Sequence, residues 1–295
     1  MAKTAPIKTI GNPMSFAGNR LLGGSRHLGE GLRELRAADD APIEIYDLYL
    51  EDLRSALRRG FEDFSAMRSD VMFIVLLYPV IGVLLAAFAI NQDLLPLLFP
   101  LVSGFALLGP VLALPLYKMS RRREAGEPVG WGDAFAVFRT PNLAPILVLG
   151  GYLLMLFAVW MLVAFGLYNV TLGPGAPTSA MAFLTDIFTT GAGLTMLVLG
   201  VAIGGIFAVM VLASTVVSFP LLLDRHVVLP RAVATSMAVT RHNPLIVATW
   251  GAVVVVLLGL GMVTLFLGLI VVLPVLGHAT WHLYRAAVVP RHAEV

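Results

Sequence analysis

Two histidines have the spacing for shared chemistry. His278 and His282 stand four apart in Gly277-His278-Ala279-Thr280-Trp281-His282-Leu283-Tyr284-Arg285. On a helix that spacing puts both rings on one face, the geometry for two ligands to one metal ion. Rings that point the same way cannot clasp a haem from both sides. A tetrahedral metal site needs further ligands, and His226 and His242 are expected on the same side of the membrane, where they are placed to supply them. The setting argues the other way. Trp281, Tyr284 and Arg285 are what a helix end at headgroup level contains, and histidine is at home there. The expectation is therefore no cofactor, with haem or a transition metal at His278 and His282 as the alternative.

Other chemistry has little to stand on. The chain has no cysteine, which excludes disulfides, thiolate metal sites and cysteine nucleophiles. It carries no nucleotide-binding glycine loop, no nucleophile elbow and no metalloprotease motif, and nothing points to nucleic acid. A non-enzymatic protein is expected.

The elements that must position these residues are membrane helices. Of 295 residues, 58% are hydrophobic and 13% charged, with a mean hydropathy of +0.88. A soluble domain carries about 25% charged residues, so the solvent for most of this surface is lipid. No cleavable leader is read in residues 1–42, which lack an apolar run of the needed length. A spanning helix takes about 20 apolar residues. Val71–Ile90, Leu94–Tyr117, Leu143–Tyr168 and Leu194–Leu223 fit. Leu245–Tyr284 is twice as long as one span needs, and reads as two helices joined by a turn between Gly259 and Gly268. The reading is an all-α, polytopic protein with six transmembrane helices.

The basic residues agree with six. All twenty fall before Val71, in the second-to-third and fourth-to-fifth connections, or after Tyr284, and none falls in the three opposite loops. By the positive-inside rule both termini face the cytoplasm, in the inner (cytoplasmic) membrane. The domains expected are a flexible arm over 1–42, a cytoplasmic amphipathic helix over 43–70, the six-helix domain over 71–284 and a tail over 285–295. In the amphipathic helix, Leu50, Leu53, Leu57, Phe61 and Phe64 form one stripe, read as lying on the membrane surface or against cytoplasmic helix ends.

The entries to the outbound spans look alike: Phe64 to Asp70, Phe135 to Asn142 and Met237 to Pro244. Each puts an arginine (Arg68, Arg139, Arg241) shortly before a capping residue (Asp70, Asn142, Asn243). Each return span carries a late proline: Pro115, Pro220, Pro274. The pattern reads as three repeated helix-hairpin units with cytoplasmic amphipathic helices. No Asp, Glu, Lys or Arg falls inside a span, which lowers the case for an ion-coupled transporter. Span two, with Pro96, Pro100, Pro110 and Pro115, reads as kinked or broken. Gly200, Gly204 and Ala208 make a small-residue stripe for close helix packing, internal or with a partner.

Asp224-Arg225-His226, Arg241-His242-Asn243 and above all Pro274 to Arg285 resemble the bacterial integral-membrane family called domain of unknown function 2189, over roughly residues 45–288. The resemblance implies a membrane protein with no particular activity. Some members carry the label of a cytochrome c oxidase subunit. Catalytic oxidase subunits need several histidines deep in separate helices, and this chain has two near one helix end, so an accessory role fits better. The partners expected are the lipid bilayer and a membrane protein or a second copy. The leading expectation is an interaction protein, and the alternative is a small-solute permease or channel-like protein.

Overall fold

The computed structural model describes residues 43–91, 95–130, 132, 137, 140–264 and 266–288. Arg139 lies outside them, as do the side chains of Arg68 and Asp70, so the arginine entries are described only at Arg241, which is exposed. The described residues are all-helical, without strands. The elements are α1 Leu50–Asn91, a 3-10 turn Leu95–Leu97, α2 Leu98–Leu107, α3 Gly109–Leu112, α4 Leu114–Glu124, α5 Leu143–Thr171, α6 Ala180–Thr189, α7 Gly191–Thr215, α8 Ser218–Asp224, α9 Leu229–His242, α10 Pro244–Val263 and α11 Leu269–Val288.

Three stretches among the described residues are long and apolar enough to cross a membrane: Leu143–Thr171, Gly191–Asp224 and Pro244–Val263, with Leu95–Gly104 and Ala180–Thr189 as shorter apolar helices. The turn expected between Gly259 and Gly268 falls between the end of α10 at Val263 and the start of α11 at Leu269. The second expected span is interrupted at Leu108 and Ala113 and divides into α2, α3 and α4. Pro110 and Pro115 lack the amide hydrogens that would carry the helix through. The carbonyl of Pro100 accepts from Trp160 Nε1 at 3.0 Å.

Small residues set the close approaches between spans. Trp160 of α5 lies between Gly104 of α2 and Gly204 of α7, and its ring stacks at a tilt on Phe207 at 5.6 Å. A Cβ at Gly204 would stand 3.1 Å from Trp160, and one at Gly200 3.7 Å from Leu167. The stripe that includes half-buried Ala208 thus packs α7 on α5 within the chain.

α1 runs unbroken through residue 70 for 42 residues. Between Leu50 and Met67 its buried positions are Leu53, Ala56, Gly60, Asp63 and Met67, spaced as a seam against α11. The apolar stripe read from the sequence is offset from this seam, since Leu50 and Phe61 stay 48% and 55% exposed. Closeness decides the difference. A Cβ at Gly60 would lie 2.7 Å from Ala279 N and Val275 O, so only glycine lets the two backbones meet there.

Most fully buried side chains gather at the end of the bundle that also holds the charges. Leu116, Tyr117, Met119, Phe219, Leu221, Leu222, Trp281, Leu283 and Tyr284 are all at most 2% exposed. Toward the other end the spans turn apolar side chains outward: Leu162, Val198 and Val263 are 70%, 65% and 83% exposed. An apolar surface of that kind requires lipid or protein against it.

Candidate functional site

At the charged end α11 is enclosed by α1, α4 and α8. His278 and His282 do share a helix face, and that face meets a carboxylate. His282 Nε2 lies 2.9 Å from Asp63 Oδ2, and Ser120 Oγ of α4 donates to the same oxygen at 2.6 Å. Arg123 Nη1 bonds the other oxygen, Oδ1. Ser120 Oγ is also 2.7 Å from His278 Nδ1. One carboxylate therefore ties α1, α4 and α11 together.

The proton positions follow from the donors available. An ionised carboxylate only accepts, so the single Ser120 proton goes to Asp63 and His282 Nε2 carries a proton. His278 Nδ1 must then donate to Ser120 Oγ, which leaves His278 Nε2 as a bare lone pair. Among the described residues that atom has no hydrogen-bond partner; it is buried, and the residue is 0% exposed. Burial alone would raise the Asp63 pKa. The hydrogen bonds from His282 and Ser120 lead the effects that outweigh it, so the carboxyl sits below its ordinary value.

A second cluster adjoins the first. Tyr284 OH donates to Asp224 Oδ2 at 2.7 Å, and Arg121 Nε lies 3.2 Å from Asp224 Oδ1. Trp281 Nε1 donates to Glu124 Oε2 and Arg285 Nε to Glu124 Oε1, each at 2.9 Å. Trp281, Tyr284 and Arg285 were read from the sequence as a belt at headgroup level. Instead Trp281 and Tyr284 are at most 1% exposed and bonded inward, because α4 and α8 bring carboxylates to this helix end.

The ligand set expected for a metal is not brought together. His242 Nε2 is 2.8 Å from Asp47 Oδ1, and His226 is exposed. Neither is a hydrogen-bond partner of the cluster. Among the described residues no group of three or more His, Cys, Asp or Glu is arranged to hold a metal ion.

Asn142 and Asn243 occupy the N-cap positions of α5 and α10 as expected, but neither side chain makes a capping hydrogen bond. Each reaches across to another segment. Asn142 Nδ2 donates to the carbonyls of Leu222 and Arg225, both at 2.7 Å. Asn243 accepts from Leu48 N–H at 2.8 Å and donates to the Tyr46 carbonyl at 3.1 Å. Its amide pairs with the extended 43–49 backbone as a neighbouring strand would. Tyr46 N–H, in turn, donates to the Ala287 carbonyl at 2.9 Å.

In the sequence the two histidines stand out, Asp63 is a candidate only as a partner for an entry arginine, Arg121 and Arg123 read as topology charges, and Ser120 and Glu124 carry no signal. One signal was present: Asp63 sits on the 53-56-60-63-67 seam beside Gly60, a carboxylate where an apolar residue would be routine.

The comparisons with known proteins agree with the membrane reading. No curated protein and no solved structure matches the chain. The family model described as "Predicted integral membrane protein (DUF2189)" matches residues 98–224, from α2 to the end of α8. The Pro274–Arg285 motif lies beyond that stretch; over 98–224 the chain is similar to this family of predicted integral membrane proteins.

Proposed function

We propose that this chain is a non-enzymatic interaction protein of the cytoplasmic membrane, an accessory subunit of a larger membrane complex. Six spans place both termini and the charged end in the cytoplasm, as the basic residues require. The observation that carries the reading is the engagement of the reactive side chains with one another. Asp63 accepts from His282, Ser120 and Arg123, and Glu124 and Asp224 are taken up by Trp281, Tyr284, Arg121 and Arg285. A site that turns over substrate keeps such groups open to it. Here they join helices into a rigid base, and the apolar flanks above it offer contact area. The test is purification from native membranes after mild crosslinking. A membrane-protein partner in constant stoichiometry is expected, with no haem or transition metal retained at His278 and His282. Metal that is bound in one equivalent and lost on His278→Ala would overturn the second expectation.

The permease reading has one observation in its favour, the interruption of the second span at Leu108 and Ala113. Broken helices hold substrates and ions in several transporter folds. Solute flux into sealed vesicles that contain only this protein, above that of empty vesicles, would replace the first reading with this one.

A further inference from the structure

The connection between α5 and α7 contains α6, a helix with three distinct faces. Ser179 caps it, accepting from Ala182 N–H at 3.1 Å, and Thr190 ends it by capping α7. One face is held down. Phe183 is 9% exposed and meets the Tyr168 ring edge-on at 6.2 Å, and the first turn of α7 packs on it at Gly193. A second face carries Thr185, Asp186 and Thr189, all exposed. Asp186 is the sole charged residue from 143 to 223. The third face is apolar and bare: Met181, Leu184 and Phe188, spaced i, i+3, i+7, are 72%, 49% and 62% exposed.

We infer that α6 is an interfacial helix that seats Met181, Leu184 and Phe188 in the acyl–headgroup boundary of the bilayer. Continuity identifies the occupant. α6 sits where α5 ends and α7 begins, and the neighbouring outward residues of those spans, Val170, Leu194 and Val198, are 81%, 47% and 65% exposed. These spans are apolar along their length, so their outward surface is lipid-facing, and the bare face of α6 extends it at the level of the span ends. The Thr185-Asp186-Thr189 face then meets water. Interfacial helices commonly add lysine or arginine to bind anionic lipid. α6 has neither, so its seating is apolar and independent of headgroup charge.

The chain's lack of cysteine makes the test direct. Single variants Met181→Cys, Leu184→Cys, Phe188→Cys, Asp186→Cys and Thr189→Cys of the full chain are nitroxide-labelled and reconstituted into phosphatidylcholine vesicles. Val198→Cys serves as the lipid-facing control. Power saturation compares collision with oxygen, which partitions into lipid, and with a water-soluble nickel chelate. At 181, 184 and 188 oxygen should prevail by about threefold or more, and at 186 and 189 nickel should prevail. The pattern should persist when a third of the lipid is phosphatidylglycerol. Equal nickel access at 184 and 186 would overturn the inference. So would labels at 184 and 188 shielded from both reagents, the signature of a protein partner, with spectral broadening marking a second copy. A shift toward lipid only in anionic vesicles would overturn the apolar mode of seating.

Discussion

Replacing Asp63 with alanine leaves His282, Ser120 and Arg123 without their common acceptor. Breaking a buried ion pair costs about 3–5 kcal/mol, and the low end is expected here because Arg123 is 40% exposed. Asp63→Ala should therefore lower the melting temperature in detergent more than Asp63→Asn, which keeps an acceptor. The pH dependence has a definite sign. The Asp63 pKa is lower folded than unfolded, so its contribution is complete above the unfolded carboxylate range, near pH 4. It is lost as acid titrates the folded group. Melting temperature followed from pH 7 downward should fall in the wild type below about pH 4, and the fall should be shallower in Asp63→Asn. An equal slope in both would place the acid sensitivity elsewhere.

At the scale of elements the seam between α1 and α11 is set by Gly60. Its backbone neighbours, Ala279 N and Val275 O, cannot rotate away as a side chain can. Gly60→Ala should cost about 1–3 kcal/mol by overpacking. Gly151→Ala in α5, where nothing lies within 4 Å, should be neutral or slightly stabilising through lost backbone freedom. Paired melting curves check the contrast. The same seam explains what was legible in the sequence. The turn between α10 and α11, the spans of α5 and α10 and the pairing of His278 with His282 on one face follow from local periodicity. The tilt of α1 toward its Gly60 side does not, because the apolar stripe through Leu50 and Phe61 competes with it. The inward turn of Trp281 and Tyr284 depends on Glu124 and Asp224, more than 50 residues away in the chain, and no local pattern reports such partners. At the charged end, Arg121, Arg123 and Arg285 make ion pairs with Asp224, Asp63 and Glu124. The cluster Lys118 to Arg123 looks in sequence like a plain topology signal.

For the whole molecule, the division between a packed charged end and outward-facing apolar spans suits one orientation. Reporter fusions after Ile90 and Ala180 should read as periplasmic and one after Val295 as cytoplasmic. A periplasmic reading at Val295, or a cytoplasmic one at Ala180, would contradict six spans with both termini inside.

The bond between Asp63 and His282 also sets a schedule for synthesis. The two residues are 219 positions apart, and at 5–20 residues per second translation takes on the order of ten seconds or more to cover that distance. Until α11 is made, α1 presents a bare glycine notch, and its carboxylate can reach only Ser120 and Arg123 of α4. α11 supplies both His282 for Asp63 and the close backbone for Gly60. Nascent chains interrupted before Gly277 would thus leave the Gly60 notch open and Asp63 held by Ser120 and Arg123 alone, without its histidine.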